Sequence, residues 1–358
     1  MTTTTLGIIE GFYGRLYTTK ERLSLMSFIA KTGYSYYIYA PKNDASLRRR
    51  WHEDFTPYEA NRLLKMSAFA HEHHLDFGIG LSPLAITSEN RQYEPILYKK
   101  TEYALKNLKA RIIAVLFDDI KLYEKNEGQA QNRIISSIYE MAKDYGARVI
   151  FCPTYYSFDP ILEKIFGSCP PDYFQELTHN LDEHIEVFWT GNKVLSKEIT
   201  PADIEKITSL MGRKVTLWDN YPVNDGKKIS TKIYTRPFFK RAGLDGIVLS
   251  HAVNPMLECT LNKIALSTLP LVYKDADDQQ LLSMREQTVS RLFKMQGQDL
   301  CQLLVYLDAL HDDGLESFDE HKKNSLLTLL ETSHTKAADE IRAFFRGVYA
   351  FDPACLTS

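Results

Sequence analysis

A short apolar run that recurs eight times is the feature of this sequence that most limits its fold. The runs are continuously apolar rather than alternating, which is typical of parallel strands buried on both faces. Segments with helical periodicity lie between them, so the chain repeats strand and then helix. Eight such units predict an α/β protein built as a (β/α)8 barrel. The eight runs are LGIIEG (6–11), YSYYIYAP (34–41), DFGIGLSP (76–83), IIAVLFDD (112–119), ARVIFCPT (147–154), IEVFWTG (185–191), KVTLWDN (214–220) and DGIVLSH (245–251).

Helix-start signals support this reading. Thr18 precedes Glu21 by three positions, and Thr56-Pro57 and Thr200-Pro201 open two further helical segments. The alternative is an open, doubly wound parallel sheet, which normally carries a GxGxxG turn after its first strand. The first run is followed by GFYGRLY, which lacks that spacing. The sequence therefore favours the closed barrel.

The predicted secondary structure changes after residue 270. Helical periodicity continues there, but strand signals become rare. We predict two regions, a catalytic barrel over residues 1–270 and a helical region over residues 271–358. The helical region could dock on the barrel, form a dimer or shape a substrate cleft, with docking as the default. Its role and the oligomeric state stay open.

Composition excludes several classes of protein. The 358 residues carry a net charge of −3 and the pI is about 6.4, so we expect no nucleic-acid or anionic-membrane partner. Five widely spaced cysteines without a CxxC motif suit reduced thiols. No apolar stretch approaches the roughly 20 residues of a membrane helix, and MTTTT has no signal-peptide pattern. We expect a cytoplasmic protein.

Polar and aromatic groups follow nearly every predicted strand. In a (β/α)8 barrel these carboxyl ends meet at one rim, where active sites form. Aromatic side chains can cover the face of a sugar ring, while carboxylates, amides and a lysine can bind its hydroxyls. A phosphate site would instead show more glycine and arginine. The rim candidates include Gly11, Phe12, Tyr13, Lys42, Asp118, Asp119, Tyr156, Thr190, Asn220, Asp225 and Asn254.

Asp118 and Asp119 end the strand AVLFDDI as adjacent acids. Two carboxyls held close cannot both ionise freely, so one is expected to stay protonated as an acid while the other is anionic. Glycoside cleavage needs this split. Two carboxylates that flank a glycosidic bond usually come from different strands, so adjacent acids fit better if the nucleophile is carried by the substrate. A 2-acetamido group can act in this way, with one aspartate holding its N–H.

Several motifs in order carry a resemblance to a known family: GIIEGFYGR, YAPKND, GLSP, LFDDI, CPTYY, WTG, WDNYPVND and NPM. The sequence resembles glycoside hydrolase family 84, the O-GlcNAcase and hyaluronidase-toxin-like β-N-acetylglucosaminidases, from about Gly7 to Met256. The resemblance implies a retaining, substrate-assisted hydrolysis through an oxazoline, without metal or organic cofactor. It also implies a GlcNAc-bearing glycoprotein or glycan as the substrate.

The resemblance implies a role for individual residues. Asp118 would orient the acetamido N–H, and Asp119 would protonate the leaving oxygen and then activate water. The sugar hydroxyls would be bound by Gly11, Lys42, Asn220, Asp225 and Asn254. The acetamide side would be lined by Tyr156, Thr190 and Trp218.

The sequence departs from the family pattern beside the pocket. The family commonly has Pro-Trp after GFYG, an aspartate in YAPKDD and a glycine after GLSP, where this chain has Leu16-Tyr17, Asn43 and Leu84. These changes leave the acids in place and bear on substrate preference. The basic run Arg48–Arg50 is read as a solvated loop that could alternatively touch an acidic substrate.

The sequence also allows other interpretations of the site and of the substrate. The histidines of HEHH (71–74) lie at the end of a helical segment, where they favour the helix dipole, and no second cluster completes a metal site. We therefore expect no metal. The same chemistry could act on hyaluronan, chitin or peptidoglycan fragments instead of modified proteins. A binding protein that kept the pocket without turnover is the alternative from another class.

Overall fold

The computed structural model describes residues 4–86, 91–120 and 127–355. Its sheet is a closed barrel of parallel strands in sequence order, since the first strand pairs with both the second and the eighth. This confirms the predicted (β/α)8 barrel. The strands are β1 (Thr5–Glu10), β2 (Tyr36–Tyr39), β3 (Asp76–Leu81), β4 (Ile112–Leu116), β5 (Arg148–Cys152), β6 (Ile185–Trp189), β7 (Thr216–Asp219) and β8 (Ser250–Val253).

Helices follow the strands and cover the barrel. The predicted capping boxes at Thr18, Thr56 and Thr200 are confirmed, and each threonine side chain accepts a hydrogen bond from the third residue of its helix. The helices up to residue 272 are α1 (Thr19–Lys31), α2 (Pro57–Glu72), α3 (Glu94–Lys106), α4 (Glu127–Ala142), α5 (Pro160–Phe166), α6 (Tyr173–Thr178), α7 (Pro201–Met211), α8 (Asn262–Leu266) and α9 (Leu269–Val272).

The amino end of the barrel is filled by a polar layer. Tyr36, Arg148 and Ser250 are the first residues of their strands, and the Arg148 side chain pairs with Glu186 at 2.8 Å. The Tyr36 hydroxyl donates to Ser250 Oγ at 3.2 Å, across the barrel interior. These side chains fill the interior of the barrel at its amino end.

The eighth strand lies further along the chain than predicted. The run 245–251 was expected to be the strand, but β8 begins only at Ser250. Before it, Asp245 Oδ1 accepts from the Thr4 backbone N–H at 2.9 Å, and the Gly246 N–H donates to Thr4 Oγ1 at 2.9 Å. These contacts fold the DGIVL stretch into a turn that closes the barrel at β1. An apolar run alone did not distinguish this turn from a strand.

Beyond residue 277 the described chain is helical, with α10 (Asp278–Phe293), α11 (Gly297–Asp312), α12 (Glu320–Leu329) and α13 (Lys336–Phe345). Glu340 in α13 accepts from the backbone N–H groups of Thr260 and Leu261 at 2.8 and 2.9 Å. Arg285 in α10 donates to the Thr235 carbonyl at 3.0 Å. The helical region is therefore bonded to loops of the barrel. Within the described ranges no helix is both long and apolar enough to cross a membrane.

Candidate active site

A cavity opens at the carboxyl ends of the strands. It brings together residues that follow strands β1, β2, β4, β5, β6, β7 and β8, as expected if the rim of the barrel carries the site. The predicted site residues that line it are Gly11, Tyr13, Lys42, Asp118, Asp119, Tyr156, Thr190, Trp218, Asn220, Asp225 and Asn254.

The backbone after β4 explains how two adjacent acids face one cavity. In a continuing strand, Asp118 and Asp119 would point to opposite faces. The strand instead ends at Leu116, and Asp119 adopts a left-handed conformation with φ of 58°. Aspartate tolerates this region better than most residues. The resulting turn directs both carboxyls into the cavity.

Asp118 is paired with a lysine. Its Oδ2 lies 2.5 Å from Lys42 Nζ, and both side chains are almost entirely buried. Its second oxygen, Oδ1, is buried and has no hydrogen-bond partner among the residues that the structure describes. That oxygen can accept a hydrogen bond from a ligand.

Asp119 has a different environment. Burial raises the pKa of its carboxyl, and the negative charge of Asp118 raises it further. The Tyr13 hydroxyl donates to Asp119 Oδ2 at 2.7 Å. Oδ1 is buried without a partner in the described part of the chain. Since Oδ2 is engaged as an acceptor, a proton on this carboxyl is held at Oδ1, where it can be donated to a ligand.

Asp225 gives a third carboxyl on the rim, and its side chain is partly buried. Its Oδ2 accepts from the Tyr13 backbone N–H at 2.8 Å. Burial raises its pKa to about 6, although that hydrogen bond opposes the shift. Asp225 therefore ties the β7–β8 loop to the loop after β1, and still presents a carboxyl to the cavity.

Hydrogen bonds join the loops after β1, β7 and β8. The Gly11 N–H donates to Asn254 Oδ1 at 3.1 Å, and Asn254 Nδ2 donates to Asn220 Oδ1 at 2.9 Å. Trp218 Nε1 donates to the same Asn220 oxygen at 2.9 Å. A Cβ on Gly11 would lie 2.4 Å from Trp218 Cζ2, so only glycine leaves room for the indole. The two amides are thereby held in one orientation.

Thr190 and Tyr156 lie on the neighbouring part of the wall. The Thr190 backbone N–H donates to the Tyr156 carbonyl at 3.0 Å, and the Thr190 hydroxyl donates to the same oxygen at 3.3 Å. These bonds hold the loop after β5 against the end of β6. Cys152 lies beneath them, where burial raises the pKa of its thiol. It lines the cavity as a small neutral group.

The predicted site residue Phe12 and the strand-end residue Asp219 lie outside the cavity lining. Phe12 is fully buried, with its ring 4.9 Å from the ring of Tyr17, so it belongs to the hydrophobic core. Asp219 is bound by Arg241 at 2.7 Å and by His251 at 3.2 Å. Burial would raise the pKa of Asp219, but the charge of Arg241 and the His251 hydrogen bond outweigh it and lower the pKa to about 2. These three groups form a structural ion cluster behind the site.

Further lining residues were not singled out from the sequence. Val194 and Leu195 follow β6, Val223 and Ile229 follow β7, and Cys355 comes from the end of the described chain. The first four are apolar loop residues close to predicted strand ends, which is a weak signal. No sequence signal connects Cys355 with a loop more than 300 residues away.

The histidine cluster 71–74 lies away from this cavity. His73 caps the end of α2 and stacks on Phe69 with ring centroids 4.0 Å apart. Nowhere in residues 4–86, 91–120 and 127–355 do three or more histidine, cysteine, aspartate or glutamate side chains form a group that could hold a metal ion.

Comparison with known proteins gives a consistent result. The family profile NAGidase, described as beta-N-acetylglucosaminidase, matches residues 6–305. The chain is 30% identical over 311 residues to Protein O-GlcNAcase of Rattus norvegicus and equally to that of Mus musculus, covering 82% of this chain and 33% of each relative. It thus spans about a third of the length of these curated relatives.

A solved structure of a related protein has a similar fold to this chain. A mutant of the Thermobaculum terrenum O-GlcNAc hydrolase is similar with a TM-score of 0.76 and 25% identity, over 95% of this chain and 73% of that one. The profile match spans most of the chain and includes every lining residue of the cavity except Cys355. The chain therefore belongs to the beta-N-acetylglucosaminidases of glycoside hydrolase family 84, a family of enzymes that hydrolyse glycosidic bonds.

Proposed function

We propose that this protein is a retaining exo-β-N-acetylglucosaminidase that uses the 2-acetamido group of its substrate as the nucleophile. The observation that carries the proposal is the unequal pair of acids. Asp118 is ion-paired with Lys42, while burial and the Asp118 charge raise the pKa of Asp119. Each presents one buried oxygen that lacks a partner among the described residues. One group can thus accept a hydrogen bond while its neighbour donates a proton.

In the first step the acetamido carbonyl oxygen attacks C1 of the sugar. Asp118 Oδ1 accepts the amide N–H, which orients the group and increases the electron density on its oxygen. The bond from C1 to the leaving oxygen breaks, and the proton on Asp119 passes to that oxygen. Holding the nucleophile within the same molecule replaces a bimolecular encounter by an intramolecular one. The product of this step is an oxazoline that keeps its N–H proton, an oxazolinium ion held by the hydrogen bond to Asp118 Oδ1.

In the second step Asp119 acts as a base. As a carboxylate it takes a proton from water, and the water oxygen attacks C1 from the face that the leaving group vacated. The oxazoline ring opens and restores the acetamido group, so the sugar is released with its configuration retained. The Tyr13 hydroxyl bonds to the carboxyl in both protonation states and keeps its orientation.

The remaining lining residues would recognise GlcNAc. Gly11, Asn220, Asp225 and Asn254, with Lys42, would bind the sugar hydroxyls, because they offer amide and carboxyl groups in a dense hydrogen-bond network. The acetamide would lie against Tyr156, Thr190 and Trp218. These aromatic and methyl groups suit an acetyl methyl better than a charged substituent.

We further propose that the substrates are proteins carrying GlcNAc on serine or threonine, or glycoconjugates with a terminal GlcNAc. The mammalian relatives named Protein O-GlcNAcase support this assignment. A cytoplasmic location, which would favour modified proteins over matrix polymers, stays a prediction from composition.

The test compares hydrolysis of an aryl β-N-acetylglucosaminide with that of the matching β-glucoside, using the wild-type protein and Asp118→Asn. We expect turnover of the acetamido substrate only, and a loss of that turnover in the variant. Comparable hydrolysis of the glucoside, or an unchanged rate in Asp118→Asn, would contradict the mechanism. If neither substrate is hydrolysed, binding of GlcNAc measured by calorimetry would identify a carbohydrate-binding protein instead.

A further inference from the structure

The segment of residues 349–355 returns from the helical region to the mouth of the cavity. Cys355 is 8% exposed and lines the same cavity as Lys42, Asp118 and Asp119. The floor of that cavity is made by strand ends, so a segment that arrives from outside the barrel can join it only on the open side. A leaving group must leave the pocket through this same side.

Several contacts hold the segment in place. Tyr349 is 5% exposed, and the Arg15 guanidinium lies 5.6 Å from its ring centroid. Asn43 Nδ2 donates to Asp352 Oδ2 at 2.5 Å. The other oxygen of Asp352 accepts from the Ala354 N–H at 2.9 Å, and the Cys355 N–H donates to the Asp352 carbonyl at 3.0 Å. Asp352 therefore both anchors the segment and shapes the turn that places Cys355.

The loop that anchors the segment also reaches the catalytic acid. Asn43 and Arg48 both lie between β2 and α2. The Arg48 guanidinium is 5.4 Å from the ring centroid of Tyr13, whose hydroxyl bonds to Asp119. Because Asp119 must meet the leaving oxygen, the segment borders the leaving-group side of the pocket.

Asn43 is the residue where this chain departs from the YAPKDD pattern of its family. An asparagine at this position can donate a hydrogen bond to the Asp352 carboxylate. An aspartate could not donate when ionised, and would place a second negative charge against Asp352. The Asn43 amide is therefore suited to hold the Asp352 carboxylate.

We propose that segment 349–355, held by the Asn43–Asp352 hydrogen bond, is a wall of the leaving-group site that restricts which GlcNAc-bearing substrates enter. The inference rests on the function proposed above and adds a specificity determinant to it. Small leaving groups pass the wall freely, whereas a folded protein that carries GlcNAc contacts the segment as C1 approaches Asp119, which slows its hydrolysis. Asn43 and Asp352 are positioning residues: they hold the segment in place and contact no reacting atom.

The test uses Asn43→Asp, Asp352→Asn and the double variant, which exchanges amide and carboxylate and re-forms the bond. Asn43→Asp is expected to raise kcat/KM on a GlcNAc-modified folded protein by roughly five- to tenfold, the scale of one lost hydrogen bond of ordinary strength. For an aryl GlcNAc, kcat/KM of Asn43→Asp should stay within about twofold of the wild-type value, since small leaving groups already pass the wall. The double variant should return to the wild-type ratio. Asn324→Asp adds the same charge on the exposed face of α12 and should change neither rate.

A second measurement does not depend on turnover. Alkylation by iodoacetamide, followed by mass spectrometry of the peptides, compares Cys355 with the exposed Cys301 in each variant. We expect Cys355 to react slowly in the wild type and in the double variant, and faster in Asn43→Asp. Equal alkylation in all variants, or faster alkylation without a change in the protein-to-aryl ratio, would overturn the proposal. Failure of the wild type to hydrolyse aryl GlcNAc would instead refute the proposed function. The alkylation rate of Cys355 would still show whether the Asn43–Asp352 bond holds the segment in place.

Discussion

Asp118 and Asp119 are neighbours in sequence with the same side chain, yet their surroundings differ, and only for Asp119 is the pKa raised. The ammonium of Lys42 lies against Asp118, whereas Asp119 faces a tyrosine hydroxyl and the charge of Asp118 itself. The left-handed backbone at Asp119 is what allows both to share one cavity. The difference in role therefore comes from contacts across the barrel and not from the residue type.

The first prediction concerns Asp119→Asn. An amide cannot supply a proton, so turnover should fall by roughly 10²–10⁴-fold on substrates whose leaving group needs protonation, and much less on an activated aryl glycoside. Initial rates on the two substrates measure this. Asp275→Asn is a matched control, because Asp275 is exposed and has a similar φ of 57°. Equal losses on both substrates would remove Asp119 from the role of acid.

Tyr13→Phe tests the hydrogen bond to Asp119. The bond from the hydroxyl stabilises the ionised carboxyl and lowers its pKa. Without it the pKa of Asp119 should rise further, so the alkaline limb of the kcat/KM profile should move to higher pH. The measurement is a pH profile on a substrate with a poor leaving group. A limb that moves to lower pH would show that Tyr13 does not act through this bond.

At the scale of elements, the site depends on the close approach of β1 to β7. Gly11→Ala places a methyl group 2.4 Å from Trp218 Cζ2 and must displace the indole or the backbone. We expect a loss of about 1–3 kcal/mol of stability and a clear fall in kcat/KM, because Trp218 also holds Asn220. Chemical denaturation and kinetics measure the two effects.

Trp218→Phe supplies the control for this prediction, since phenylalanine lacks the Cζ2 atom that the methyl group would meet. Added to Gly11→Ala, it should recover part of the lost stability without restoring activity. If the double variant is as unstable as the sum of the single ones, the two residues do not interact as the distances indicate.

For the whole molecule, buried acids connect stability to pH. Burial raises the pKa of Glu340 to about 7 and that of Glu258 to about 8, both above an ordinary value of 4.5. Glu340 also bonds α13 to the barrel through Thr260 and Leu261. A carboxyl with a raised folded-state pKa contributes stability that is complete below about pH 4.5 and is lost as the pH rises through 7 to 8.

We therefore predict that the thermal midpoint falls between pH 5 and pH 8.5, and that Glu340→Gln makes this fall shallower. The effect for Glu340 is on the order of 3 kcal/mol, and glutamine can still accept from the two backbone N–H groups. Glu316→Gln, at an exposed position, should leave the slope unchanged. A wild-type midpoint that is higher at pH 8.5 than at pH 5 would contradict the prediction.

Features that depend on local pattern follow from the amino-acid sequence. Continuous apolar runs with helices between them specify the parallel barrel, and residues just after each run reach its rim, because carboxyl ends of parallel strands meet there. Lys42, Asp118, Thr190 and Asn220 were found in this way. The capping boxes were equally predictable, since they need only residues three positions apart.

Contacts between side chains that are distant in sequence depend on the folded arrangement of the elements. Phe12 enters the core while Tyr13 reaches Asp119, and a turn bonded to Thr4 delays β8 until Ser250. Asn43 bonds to Asp352 across 309 positions of sequence. Periodicity and spacing describe the neighbourhood of a residue along the chain, whereas these contacts arise only when the barrel closes and the helical region packs on it.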